Sequence, residues 1–151
     1  MRRQAPCLLA ALALALACAK APMASPERDA AAKTFAPVPG KAVLYIYRDE
    51  GFFGGGVKVP IVINSRVIGD TVGKSYFRLV LDPGDYELKC KAEKDVIQTI
   101  AVEAGKVYFF QQEMKMGLLS NRCGLSTVSD DAGRAAVATC RLLDAPEVLP
   151  E

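Results

Sequence analysis

Apolar and polar residues alternate along the middle of the chain with the period of two that is typical of β-strands. From Tyr86 to Ala92 every second residue is apolar, and the residues between them are charged. Because successive side chains of a strand point to opposite faces, this pattern predicts one buried face and one solvated face. Apolar runs of this kind fill the range 77–112, with turn residues between them. The turn Asp82–Asp85 contains proline and glycine, which favour the backbone angles of a tight turn.

Together these runs predict an antiparallel meander at the centre of the domain. Further strands are predicted in the ranges 42–48, 57–64, 67–72 and 118–128. Ser129 is followed by two aspartates, which is typical of an N-cap and an acidic first turn, so we expect a helix from there to about Leu143. Short strands at regular spacing favour an all-β fold. We therefore predict an antiparallel β-sandwich of about seven strands with one C-terminal helix.

The N-terminal residues have the pattern of a targeting segment. Arg2 and Arg3 precede an uncharged stretch, 5–19, which as a helix would rise about 22 Å, less than the ~30 Å of a bilayer's hydrocarbon core. A signal peptide over residues 1–17 fits this length better than a permanent span. The sequence LALAC that ends at Cys18 resembles a bacterial lipobox. We therefore expect cleavage before Cys18 and a lipid anchor on its thiol.

Two interpretations of the cleavage site remain open. Ordinary signal peptidase cleavage after Ala17 would leave a soluble protein that begins at Cys18. We favour lipidation of Cys18, because an unpaired cysteine at that position has little other use. Ala19 then resembles an outer-membrane sorting signal in a Gram-negative host. The expected location is the bacterial cell envelope, with a lipid anchor in the outer membrane and the domain in the periplasm.

The range 18–39 is expected to be a tether. It is rich in proline and small residues, and a short helix starting at Ser25 and Pro26 would be marginal if it packed on nothing. We therefore expect a mostly flexible segment that holds the domain tens of ångströms off the bilayer. The β-sandwich domain with its helix would then span 40–145, and 146–151 would form a frayed tail.

A glycine-rich loop, Gly51–Gly56, contains Phe52 and Phe53 between its glycines. It lacks the lysine that a phosphate-binding loop requires. One interpretation is that a phenylalanine folds back over the edge of the sheet. The functional interpretation is that Phe52 and Phe53 form an exposed apolar contact for a partner or a membrane surface.

Three cysteines remain after Cys7 and Cys18, which is an odd number for an oxidising compartment. Cys90 shares a strand face with apolar residues, so we expect a reduced, buried thiol. We predict a Cys123–Cys140 disulfide that pins the C-terminal helix to the sheet, with Cys90–Cys140 as the competing pair. The spacings between the three cysteines match no tight pair of metal ligands, and we expect no metal site.

Charge and composition argue against several classes of function. The chain has 19 basic and 17 acidic residues, and without Arg2 and Arg3 the two numbers are equal, so no nucleic-acid partner is expected. It contains no histidine, the commonest general base and metal ligand. Asp130 and Asp131 are interpreted as helix-capping residues. We expect no catalytic residues, no cofactor and no enzymatic activity.

Several segments together resemble a family of small bacterial lipoproteins of unknown function: AVLYIYR, the run INSRVIGDTVGKSYFRLVLDPGDYEL, VEAGKVYFFQQ and LSTVSDDAGRAAVATCRL. The turn and strand around Tyr86 also resemble the PEGA domain, a small envelope β-sandwich. The resemblance spans about Pro39 to Leu143 and implies a fold, without catalytic residues. We expect a non-enzymatic envelope lipoprotein that presents its β-sandwich to proteins or glycans. The alternative is a small-ligand or lipid carrier with a cleft between the sheets.

Overall fold

A computed structural model describes residues 21–51, 56–92, 94–116 and 121–149. Two helices lie in these ranges, α1 (Pro26–Ala32) and α2 (Asp130–Ala138). The nine strands are β1 (Ala42–Arg48), β2 (Val59–Ile63), β3 (Arg66–Thr71), β4 (Ser75–Leu81), β5 (Gly84–Cys90), β6 (Val96–Val102), β7 (Val107–Met116), β8 (Asn121–Val128) and β9 (Arg141–Leu142). No helix in the described ranges has the length and apolar character that a bilayer span requires.

The strands form two sheets that face each other. One sheet has the order β8-β7-β1-β4-β9 and the other has the order β3-β2-β5-β6. The predicted all-β sandwich with a C-terminal helix is therefore confirmed. Apolar side chains from both sheets fill the space between them; the largest fully buried ones are Leu44, Ile46, Ile61, Ile63, Phe77, Leu79, Leu81, Leu88 and Phe110.

Two strand pairs differ from the predicted antiparallel arrangement, because β7 runs parallel to β1 and β9 runs parallel to β4. The chain leaves β4 at Leu81, beside the start of β1, and the β5–β6 hairpin brings it back to the same end. As a result β7 starts next to the start of β1 and must run in the same direction. The described ranges contain nine strands, where about seven were predicted.

The central strand β1 is buried on both faces, since each of its seven residues is buried. Its outward-facing side chains lie in a second core under the two helices, formed by Ala24, Ala32, Val43, Tyr45, Tyr47, Tyr76, Phe109, Val137, Cys140 and Leu142. The molecule therefore has three layers: helices, the five-stranded sheet and the four-stranded sheet. In α2 the close approach to the sheet depends on Gly133, because a side chain there would collide with Phe109.

The helix α1 packs on this sheet, so the expectation of a mostly flexible tether is wrong for the described part of that segment. The Asp29 carboxylate accepts hydrogen bonds from Lys33 (2.7 Å), the Tyr76 hydroxyl (2.8 Å) and the Leu142 amide (2.9 Å). Burial raises the pKa of Asp29, but these hydrogen bonds outweigh it and bring the pKa below its ordinary value. The Tyr45 hydroxyl donates to the Ala32 carbonyl at 2.6 Å. Polar groups of α1 are thus partners for tyrosines of the sheet.

The second helix is shorter than predicted. It begins after Ser129, whose hydroxyl accepts from the Ala132 amide as expected, but it ends at Ala138. The chain then extends along β4, where the Arg141 amide donates to the Lys74 carbonyl at 3.0 Å. Leu142 is buried as expected, but it lies on β9.

The structure corrects the predicted disulfide. Cys90 of β5 is bonded to Cys123 of β8, with Cα atoms 6.2 Å apart, and Cys140 is a buried free thiol. Cys140 lies in the core under the helices, whereas Cys123 lies between the two sheets, so the five-stranded sheet separates them. The prediction that Cys90 points into the core is confirmed, but it is oxidised.

We predict that reduction of Cys90–Cys123 destabilises the fold. The bond joins the two sheets across a sequence separation of 33 residues. A loop of this length corresponds to about 4 kcal/mol in the chain-entropy model, so we expect a loss of about 2–4 kcal/mol in the free energy of unfolding. Urea unfolding with and without reductant measures it. The Cys140→Ala variant should show the same loss of stability on reduction. If reductant no longer changes the stability of this variant, the assigned pairing is contradicted.

Candidate functional site

The two ends of the sandwich carry different surfaces. We call the end at which β1 begins, at Ala42, the proximal end, and the end at which it finishes, at Arg48, the distal end. Strand β1 separates them by about 20 Å. At the distal end β7 continues beyond β1, because Arg48 pairs with Gln112 and β7 runs on to Met116. The β7–β8 hairpin therefore extends past the rest of its sheet.

A cleft of about 260 Å³, the distal cleft, lies between this hairpin and the end of β1. One wall is formed by the start of the glycine-rich loop, and the other by β7. Its lining residues are Arg48, Asp49, Glu50, Gly51, Gln111, Gln112, Glu113, Met114 and Lys115. The rim is therefore charged, with both signs present.

Arg48 lines this cleft, although the residue as a whole is only 2% exposed. It donates to the Val57 carbonyl at 2.7 Å and to the Thr71 carbonyl at 3.3 Å. Burial lowers the pKa of Arg48. Val57 follows the glycine-rich loop, so Arg48 fixes the point at which that loop returns to the sheet.

The start of the loop is also held. Asp49 forms an ion pair with Lys74 at 2.9 Å, and Lys74 lies 3.3 Å from the Thr139 hydroxyl. The hydrogen bond to Asp49 raises the pKa of Lys74, which favours the charged pair. Asp49 and Val57, which flank the glycine-rich loop in the sequence, therefore both have partners in the domain.

A buried polar network reaches the lining of the distal cleft at Gln112. The Gln112 side chain is 1% exposed, and its carbonyl oxygen accepts from the Thr71 hydroxyl. Its amide nitrogen lies 3.0 Å from the Cys90 sulfur and 3.4 Å from the Cys123 sulfur. These residues belong to β7, β3, β5 and β8, so the network ties the two sheets together at this end.

Three of the residues that the sequence predicts as sites, Cys18, Phe52 and Phe53, lie outside the described residues.

The network of Arg48, Thr71 and Gln112 was not predicted from the sequence. The signal was present, because Arg48 and Gln112 end two of the most apolar runs in the chain. A polar group at the end of a buried strand needs a buried partner.

Two further surfaces are open to solvent. A cleft of about 320 Å³, the proximal cleft, is lined by Asn64, Arg66, Val80, Leu81, Asp82, Tyr86, Val148 and Leu149. On the outer face of the four-stranded sheet, exposed Val67 and Ile97 stand in one row across the strands. Within the described ranges, no cluster of three or more histidine, cysteine or acidic residues is placed to hold a metal ion.

Residues 39–124 match the model of a family described as a protein of unknown function, DUF2846. The chain belongs to this family. The DUF2846 region runs from just before β1 to Gly124 of β8, so it includes the distal cleft and the Cys90–Cys123 bond. The predicted membership of a family of unknown function is confirmed.

A relative from Haemophilus influenzae, named as an uncharacterized protein, is 34% identical to this DUF2846 protein over 124 residues. The match covers 81% of this chain and 73% of the relative. No solved structure matches the chain.

We predict that Thr71→Val destabilises the DUF2846 domain by about 1–3 kcal/mol, although valine has nearly the same shape. The substitution removes the hydroxyl hydrogen bond to Gln112 and leaves a buried amide oxygen without that donor. Thr99→Val, on the exposed outer face of β6, is the matched control and should have little effect. Urea unfolding measures both variants, and equal stability of the two would contradict a structural role for the network.

Proposed function

We propose that this DUF2846 protein is a non-enzymatic lipoprotein of the bacterial cell envelope. Its anchor is a lipid on Cys18 in the outer membrane, and its β-sandwich faces the periplasm. The distal end is the contact surface for an envelope protein or glycan. The observation that carries this proposal is the fixed attachment of the glycine-rich loop beside the distal cleft.

A loop whose flanking residues are held by a rigid scaffold suits recognition. Arg48 and Lys74 hold the two ends, and the β7–β8 hairpin extends beside them. Phe52 and Phe53 lie between these ends in the sequence, and aromatic side chains are common anchors in protein interfaces. The cleft next to them supplies charged groups of both signs for specificity.

The location in the envelope is supported by the disulfide. Cys90–Cys123 joins the two sheets in the core, and disulfides of this kind persist in oxidising compartments such as the periplasm. The absence of histidine from the sequence supports a role without catalysis.

A carrier of a small ligand or lipid is the second candidate. The space between the sheets is filled by the core, so a carrier would use the proximal cleft. The volume of that cleft, about 320 Å³, is at the lower end of the range for small-molecule sites. Native mass spectrometry of protein purified from envelopes distinguishes the candidates, because a carrier retains a bound molecule of defined mass.

We predict that the mature N-terminal peptide carries acyl groups on Cys18. Its mass should exceed that of the unmodified peptide by the mass of a diacylglyceryl group with or without a further acyl chain. The Cys18→Ser variant should move from the membrane fraction to the soluble fraction. An unmodified peptide in soluble periplasm would contradict the anchor and leave the contact surface to be tested separately.

We predict that crosslinking in intact envelopes depends on position. A photoreactive residue at Glu50 or Lys115, both at the distal cleft, should capture the same species. Replacement of Thr99 on the outer sheet face is the matched control and should not capture it. The double variant Phe52→Ser, Phe53→Ser should reduce capture at both distal positions. Equal capture at Thr99, or capture unchanged in the double variant, would contradict the assigned contact surface.

A further inference from the structure

The path of residues 22–24 gives the direction of the chain at the start of the described part of the domain. The Ala24 amide donates to the Leu142 carbonyl at 2.9 Å, and the Asp144 amide donates to the Pro22 carbonyl at 2.9 Å. Residues 22–24 therefore run antiparallel to the segment after β9. That segment runs parallel to β4, toward the proximal end. Followed back toward its N-terminus, the chain therefore approaches the proximal end.

The distance between the domain and the proposed anchor is short. Ala21 is 4% exposed and belongs to the core between the sheets. Ala21 is three residues along the chain from Cys18, and a chain extends at most about 3.6 Å per residue, so the two Cα atoms lie within about 11 Å. A lipid on Cys18 would therefore hold the domain against the bilayer surface, which corrects the expectation of a separation of tens of ångströms.

Where the proximal end meets the outer face of the four-stranded sheet, an exposed patch combines apolar groups with a cation. Val67 is 64% exposed and Val148 is 63% exposed, and they are the most exposed large apolar side chains in the described ranges. Two clefts that share Arg66 and Leu149 lie beside them: the proximal cleft includes Val148, and a smaller cleft between the start of β3 and the C-terminal segment includes Val67. We call this surface the proximal patch, and it consists of Arg66, Val67, Ile68, Pro146, Val148 and Leu149.

Arg66 is the cation that distinguishes this patch. Among the residues that the structure describes, it forms no ion pair. Asp82, which lines the proximal cleft with Arg66, already pairs with Lys41 at 2.6 Å. Glu147, which precedes Val148 in the sequence, pairs with Arg78 at 2.6 Å. A guanidinium binds phosphate oxygens in a bidentate geometry.

We propose that the proximal patch lies on the bilayer, with Arg66 bound to phospholipid headgroup phosphates and with Val67 and Val148 at the interface. The inference rests on the proposed function, because it takes Cys18 as the anchor. Binding to a membrane surface combines burial of apolar side chains with attraction of basic residues to lipid headgroups, and the proximal patch contains both kinds of group. This orientation directs the distal cleft and the glycine-rich loop away from the membrane, toward the periplasm.

The test uses the lipidated mature protein in vesicles of phosphatidylethanolamine and phosphatidylglycerol that contain a phospholipid with a nitroxide on its headgroup. A thiol-reactive fluorophore is attached to Val148→Cys and, as the matched control, to Val57→Cys at the distal end. Selective labelling is expected, because Cys90 and Cys123 are bonded to each other and Cys140 is buried. Quenching should be several-fold stronger at position 148 than at position 57.

The role of Arg66 is tested with charge variants in the same vesicles. Arg66→Gln should reduce quenching at position 148, whereas Lys115→Gln, which removes an exposed charge at the distal end, should not. Equal effects of the two variants would overturn the specific role of Arg66. Equal quenching at 148 and 57, or stronger quenching at 57, would overturn the orientation while the anchor stands. A mature chain with no acyl mass on Cys18 would overturn the anchor itself, and this proposal with it.

Discussion

The five-stranded sheet must be covered on both faces, and the rest of the structure depends on this constraint. Its central strand β1 places Leu44 and Ile46 between the sheets and Val43, Tyr45 and Tyr47 on the opposite side. An apolar face of this size is unstable in water, so a second layer has to cover it. The two helices supply that layer. Because α1 belongs to the N-terminal segment, the same constraint brings that segment onto the domain.

Alternation and short apolar runs were sufficient to predict most strands and the sandwich, because the burial pattern of a strand is written in its own residues. The turn at Asp82–Asp85 was also predictable, and Gly84 has a φ of +151°, which favours glycine. What could not be predicted depends on pairs of residues far apart in the chain. The docking of α1 needs Asp29 to meet Tyr76 and the Leu142 amide, and nothing local to Asp29 indicates those partners.

The cysteine pairing failed for a related reason. Cys123 and Cys140 are closer in sequence, but they lie on opposite sides of the five-stranded sheet. Sequence separation does not indicate the layer in which a side chain lies, whereas the inward face assigned to Cys90 did indicate the inter-sheet core. An assignment of each cysteine to a layer would have paired Cys90 with another cysteine of the core between the sheets. The candidate site was only partly predictable for the same reason: the loop was visible in the sequence, but the network under it is assembled from four strands.

The asymmetry between the two ends follows from where the polar groups are buried. At the distal end, Arg48 and Gln112 are nearly inaccessible, and their hydrogen bonds connect the loop, both sheets and the disulfide. At the proximal end, Arg66 is exposed and stands beside exposed Val67. A buried polar network fixes geometry, which suits the presentation of a loop to a specific partner. An exposed cation beside apolar side chains can adapt to a surface with many equivalent phosphates. This difference between the ends supports the proposed orientation, in which the proximal end meets lipid and the distal end meets a partner.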